Sequence, residues 1–170
     1  MPEHKTAAPP FSAAVITASD GAASGHRDDT SGGDVESMLT DAGFTVQYRE
    51  VVPDERERIA ERLRTLSDIV ALVVVTGGTG FGPRDVTPEA AADVIERQAP
   101  GLAEAMRATG RASTPLADLS RAVCGARGTS LIVTLPGSPR GATESLGAII
   151  DLLPHALRLL AGDTAHHPPM

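Results

Sequence analysis

Seven apolar residues in succession, 69–75, four of them valine, give way to Thr76-Gly77-Gly78-Thr79-Gly80-Phe81-Gly82. A run that short and that apolar reads as a strand buried on both faces of a parallel sheet, far below the ~20 residues a membrane-spanning helix needs. Behind the glycines, Pro83-Arg84-Asp85 lead into Thr87-Pro88-Glu89, read as the N-cap, first position and acidic first turn of a helix. Strand, glycine-rich loop and helix start form an anion-binding arrangement. Glycines let backbone N–H groups close on a ligand, and the helix N-terminus adds partial positive charge. Neither common phosphate fingerprint is met: the loop has no lysine for a P-loop, and Gly80-Phe81-Gly82-Pro83-Arg84-Asp85 puts aspartate where the third glycine of a dinucleotide fingerprint belongs. A tight turn explains one or two glycines, not four within 77–82.

A strand of this kind needs parallel neighbours, and the flanking sequence supplies them. Residues 11–19 and 44–52 read as strands and 54–67 as an amphipathic helix. In 31–42, Val35, Met38, Leu39 and Ala42 fall at helical spacing before Gly43 stops the run, and the polar segment 21–30 reads as a loop. After the glycine loop come a helix over 88–98, an interruption at Pro100-Gly101 and a further helix over 102–109. Residues 122–136 look like two extended segments around Arg127-Gly128, an antiparallel pair whose second member is the more buried. Residues 139–160 carry one apolar stripe, Leu146, Ile149, Ile150, Leu153, Leu157 and Leu160, with a kink expected at Pro154. Residues 1–10 are expected to be a disordered leader, 11–161 a single domain and 162–170 a disordered tail. The β-α-β-α-β order forces right-handed crossovers, hence an α/β fold: a three-layer α/β/α sandwich on a mostly parallel central sheet, with antiparallel pairing near 122–136.

Composition narrows the partners. A net charge of −7 argues against nucleic acid or an anionic membrane surface, and with no tryptophan, one tyrosine and three phenylalanines the chain lacks stacking platforms for single strands. One cysteine, Cys124, allows neither an internal disulfide nor a thiolate cluster, so a cytoplasmic protein is expected and Cys124 reads as a small buried hydrophobe.

In parallel sheets ligands lie beyond the carboxyl ends of the strands. Three strand ends carry polar or glycine-rich sequence here: Ser19-Asp20, Thr76 to Asp85, and Pro136-Gly137-Ser138-Pro139. Two of these loops open helices with the same signal, Thr87-Pro88 and Ser138-Pro139, so two helix N-termini should point at one edge, with Arg84 and Arg140 beside them. Such a site suits an extended polyanion such as a nucleoside triphosphate. Both arginines read equally well as phosphate clamps or as solvated surface residues. Asp54 reads equally well as a site acid or as the N-cap of the helix behind it.

Taken together, TGGTGFGPRDVTPEA (76–90), VVPDE (51–55), LSR (119–121), GARGTSLIVTLPGS (125–138) and Ser19-Asp20 followed by DTSG (29–32) resemble the molybdopterin adenylyltransferase family of molybdenum-cofactor synthesis, the MogA/MoaB group that includes the G domain of gephyrin. The resemblance runs from residue 13 to residue 161. It implies a homotrimer and a reaction in which the terminal phosphate of molybdopterin attacks the α-phosphorus of Mg-ATP. The products are adenylyl-molybdopterin, for hand-over to a molybdate-inserting protein, and pyrophosphate. Matched residue by residue, the family's critical acids are Asp54 and Asp85, and the serine that handles the adenylylated product is Ser120. The ligand-binding loops are Gly77, Gly78, Thr79 and Gly80 with Arg84, and Pro136, Gly137 and Ser138 with Arg140, with Ser19 and Asp20 nearby. Such a transfer asks for positioning and charge compensation, so Mg²⁺ held by Asp85, with Asp54 as the second acid, is the expected cofactor. The rival in a different class is a molybdopterin-binding carrier that performs no turnover.

Overall fold

The structure, a computed structural model, describes residues 11–164; the expected leader and the last six residues lie outside that range. Six strands form one sheet in the order β2-β1-β3-β6-β5-β4. β1 (Ser12–Ala18), β2 (Thr45–Val52), β3 (Leu72–Thr76) and β6 (Ser130–Leu135) run parallel, and β5 (Cys124–Arg127) and β4 (Arg97–Gln98) complete it antiparallel. β3 lies between β1 and β6 and is buried throughout, as its apolar run demands.

Alternation along the strands assigns residues to two cores. Val15, Leu72, Val74 and Val133 face α2 (Thr30–Asp41), α5 (Pro100–Arg111), α6 (Pro139–Ile149) and α7 (Leu153–Leu160). Ile16, Val73, Val75 and Ile132 face α3 (Arg56–Ser67) and α4 (Thr87–Ala92). Each fully buried Leu, Ile or Val contributes about 1.5–3 kcal/mol. The result is the expected three-layer sandwich, with the antiparallel hairpin turning at Gly128 (φ 56°). No helix among the described residues is long and apolar enough to cross a membrane.

Several boundaries differ from the sequence reading, each for a local reason. The central strand starts at Leu72, because the Ile69 and Val70 amides still donate to Leu66 O at the end of α3. Thr87 is not an N-cap: it is the first residue of α4, preceded by Val86, and its hydroxyl caps nothing. The helix expected over 88–98 stops at Ala92, since the Glu96 and Ala99 amides donate to Ala126 O and Cys124 O and exchange helical bonds for sheet bonds. Gly125 makes that exchange possible: a Cβ there would meet Ile95 Cγ2 at 2.3 Å. Pro100 opens α5 instead of interrupting it. The C-terminal stripe divides into α6 and α7, and Pro154 sits in the first turn of α7, where no N–H is required, instead of kinking one helix. The loop expected over 21–30 begins with one helical turn, α1 (Asp20–Ala23), capped by Ser19. Of the expected tail, Gly162 and Asp163 donate backbone bonds to Leu159 O and Arg158 O at the end of α7.

Candidate active site

The parallel strands all end on one edge, and their loops meet there backbone to backbone. Gly77 (φ 102°) passes so close to β1 that a Cβ would stand 2.2 Å from Ala18 O, and a Cβ on Gly137 would stand 3.2 Å from Gly77 Cα. Only glycine permits both the conformation and the contact at Gly77. Thr76 Oγ1 donates to Pro136 O at 2.7 Å, and Ser138 caps α6 by accepting from the Gly141 amide.

Asp54 does not cap α3, whose N-cap is Glu55 with no side-chain bond. Its backbone amide donates to Asp20 Oδ1 at 3.0 Å, and its own Oδ2 accepts from the Asp20 amide at 2.9 Å, a reciprocal lock between residues 34 apart. Arg84 grips the Asp20 carboxylate with two bonds of 2.9 and 3.0 Å, which holds that carboxyl below its ordinary pKa. Asp54 shifts the opposite way: burial pushes its carboxyl up, and the neighbouring charges of Asp20 and Asp85 add to the effect. Asp54 Oδ1 and Thr87 Oγ1 are buried with no hydrogen-bond partner among the described residues. Both lie beside Gly78, 3.2 and 2.5 Å from where its Cβ would be. A buried carboxylate oxygen without a partner is costly unless a ligand satisfies it.

Asp85 accepts from the Gly82 amide at 2.8 Å, which folds the glycine loop back over its own acid. The loop is held from outside by Arg121, whose guanidinium donates to Gly80 O at 2.7 Å, to Asp85 O at 2.8 Å and to the Glu89 carboxylate. The Arg121 amide adds a bond to Thr79 O. Next to it, Ser120 Oγ accepts from the Ala122 amide at 3.3 Å, and Arg107 fixes this segment by donating to Ser120 O and Ala122 O, both at 3.1 Å.

Two cavities open along this edge. A polar one of about 730 Å³ is lined by Ser19, Asp29, Thr30, Asp54, Gly77 and Arg27, among others. A more apolar one of about 570 Å³ is lined by Thr79, Phe81, Met106, Leu116, Leu119 and Ser120, among others. Gly78, Asp85, Gly137 and Ser138 line both. The expected residues are therefore gathered at one edge, but three of them, Asp20, Arg84 and Arg140, line neither cavity. Arg84 is engaged by Asp20, and Arg140 pairs with Glu144 four residues on, its side chain 78% exposed. The basic side chains that line the cavities are Arg27 and Arg107, which no loop motif marks. Asp29 and Arg121 entered the sequence reading only inside the DTSG and LSR motifs, with no role of their own: Asp29 caps α2 and accepts from Thr17 Oγ1 at 2.8 Å, and Arg121 braces the glycine loop. A carboxylate just ahead of a helix was the available signal for Asp29. Cys124 is buried, and burial pushes its thiol up to about 12, so it is no nucleophile.

Fold and site together define an α/β domain with two cavities at the carboxyl ends of its parallel strands, the edge where such sheets generally take ligands. The family described as "Probable molybdopterin binding domain" matches residues 14–155, and the chain belongs to that family. It is 39% identical to the molybdopterin adenylyltransferase of Helicobacter pylori over 88% of this chain and 87% of that one. It is 40% identical to the molybdenum cofactor biosynthesis bifunctional protein of Synechococcus elongatus, where it covers 88% of itself but only 47% of the longer relative. The crystal structure of the molybdopterin biosynthesis enzyme MoaB from Thermus thermophilus superposes with a TM-score of 0.85 at 44% identity, over 94% of this chain and 99% of that one.

Proposed function

We propose that the chain is a molybdopterin adenylyltransferase. An oxygen of molybdopterin's terminal phosphate bonds to the α-phosphorus of ATP, and the bond to the β-phosphate oxygen breaks, releasing pyrophosphate. The observation that carries this reading is the junction of two cavities over Gly78, Asp85, Gly137 and Ser138. A two-substrate transfer must bring the reacting atoms of both ligands together, which two cavities meeting at a wall of common residues allow, and both nucleophile and leaving group come from the substrates. What the chain must supply is orientation and compensation of charge. α6 begins at that wall, where its N-terminus adds partial positive charge although Ser138 already holds the Gly141 and Ala142 amides, and the glycine loop allows close approach of phosphate oxygens.

The residues present fit a magnesium ion. Asp54 Oδ1 is a buried carboxylate oxygen without a partner among the described residues, and a hard oxygen donor of that kind suits an ion that takes one or two protein carboxylates and fills its shell with water and phosphate. Asp54 and Asp85 would hold it, with Asp54 the better placed because Asp85 already accepts from Gly82. Bound there, the ion would neutralise charge on the phosphates. Asp20, pinned by Arg84, keeps Asp54 aimed, and Arg121 keeps Asp85 at the shared wall. On the resemblance alone we also propose a cytoplasmic homotrimer that hands its product to a molybdate-inserting protein; light scattering giving the mass of one chain would end the trimer proposal.

Incubating the protein with molybdopterin, Mg²⁺ and α-labelled ATP tests the activity. The expected outcome is labelled adenylyl-molybdopterin and pyrophosphate only when both substrates are present, and loss of product in Asp85→Asn. Tight molybdopterin binding with no labelled product would select the carrier instead, and undiminished turnover by the variant would remove Asp85 from the mechanism.

A further inference from the structure

Of the three phenylalanines in this chain, two form a pair in the core: the rings of Phe11 and Phe44 have centroids 6.5 Å apart. The third, Phe81, is 73% exposed, more than any other large hydrophobic residue described. It sits in the glycine loop at the wall of the apolar cavity, whose rim also carries the exposed Leu116 and Leu119. The ring is braced. The guanidinium carbon of Arg121 lies 5.5 Å from its centroid, and the same guanidinium is bonded to the carbonyls of Gly80 and Asp85 on either side of it in sequence. An aromatic ring left in water forgoes the burial that drives folding. Here it is also held at the mouth of a cavity by a cation whose own position is fixed by three further bonds.

We propose that Phe81 is a substrate-binding residue, the stacking face for the flat heteroaromatic ring of a substrate seated in the apolar cavity. The ring is either a pterin or an adenine, and both present a face that an aromatic side chain covers without reading its edges. The proposal rests on the adenylyl-transfer reading for the choice of rings, not for the presence of the platform.

The chain has no tryptophan, so Phe81→Trp introduces a single indole at the cavity wall. Its fluorescence is titrated separately with pterin and with AMP, and the affinity of each probe for the unaltered protein, Phe81→Ala and Phe81→Tyr is measured by calorimetry. One probe is expected to quench the indole and to bind Phe81→Ala about tenfold more weakly, the ~1.4 kcal/mol at the low end of the stacking range, while Phe81→Tyr binds it normally. Which probe does so assigns the ring. In turnover, Phe81→Ala raises KM for that substrate and leaves kcat unchanged, because stacking is equal in ground and transition states. Quenching by neither probe, together with unaltered affinity in Phe81→Ala, overturns the proposal. Quenching and weakened binding with no labelled product in the unaltered protein would sink the transferase reading and leave the platform standing. Product from Phe81→Ala with both KM values unaltered would do the reverse.

Discussion

The polar cavity takes its walls from the loops leaving β1, β2 and β3 and from the first turns of α1 and α2, whereas the apolar one is walled by α5, the 3-10 turn Pro115–Leu119 and the segment leading into β5. In the first, Asp29 is held by Thr17 and Arg49, Asp54 by the Asp20 amide and Asp85 by the Gly82 amide, and Asp20, just behind the lining, is held by Arg84 and the Asp54 amide. In the second, the walls are mostly apolar and the fixed groups are main-chain carbonyls tied to Arg107 and Arg121. Charge at a transferring phosphate tolerates little misplacement, so hydrogen-bonded rigidity suits that side. A ring is bound by area, so exchangeable apolar contact suits the other.

Changing Asp54 should break this contrast hardest. Asp54→Asn is expected to lower transfer on the order of 10³-fold, several kcal/mol of transition-state stabilisation, because it removes the unpartnered buried oxygen of the polar cavity. The fold should not suffer. Burial first, then the charges of Asp20 and Asp85, raise the Asp54 carboxyl, against the lowering bond from the Asp20 amide. An acid with a raised folded pKa stabilises only while protonated, so its contribution is lost as the pH climbs from the unfolded value through the folded one, and at pH 7 the ionised form is a standing penalty. Melting measured from pH 4 to 8 should show Asp54→Asn gaining on the parent as pH rises; a variant that melts lower at pH 7 would make Asp54 structural.

A smaller effect should follow from cutting the brace between the cavities. Arg121→Met is expected to cost about 1–2 kcal/mol of stability for its lost hydrogen bonds and roughly tenfold in kcat. Amide exchange should quicken in residues 78–85 and not in β3. Uniform quickening across the sheet would mean that Arg121 serves the whole fold and not the loop. The smallest effect is expected at Ser120, whose hydroxyl accepts only from the Ala122 amide while Arg107 holds the main chain. Ser120→Ala should change forward transfer by less than about twofold, under ~0.5 kcal/mol of barrier, and alter the rate at which labelled product leaves on gel filtration. A hundredfold loss of forward rate would promote Ser120 to the chemistry.

Much of this arrangement was legible from residue order. The apolar run before Thr76 announced a buried parallel strand, and glycine at 77 and 78 announced backbone contact, because both depend on local chemistry. The rest depends on distance in sequence. That Asp54 leaves its helix uncapped to meet the Asp20 amide, that Arg84 commits its charge to Asp20, and that Arg107 and Arg121 reach carbonyls beyond their own segments are results of crossover geometry, invisible in any window of ten residues. The edge strand Arg97–Gln98 was missed for a related reason: its helical pattern yields to sheet bonds offered by a β5 backbone some thirty residues later.

The interleaved strand order has a consequence for the life of the chain. Because β1 lies between β2 and β3, and β6 joins only after a long excursion, the site draws on residues from Thr17 to Ser145, and no early fragment contains it. During synthesis the strand ends emerge at widely separated times, and the shared wall closes only when the Pro136–Ser138 loop has docked on Gly77. A ligand that spans both cavities would recognise only the finished molecule, and its binding energy would return to the whole fold at once, making the supply of that ligand a folding reserve for the chain.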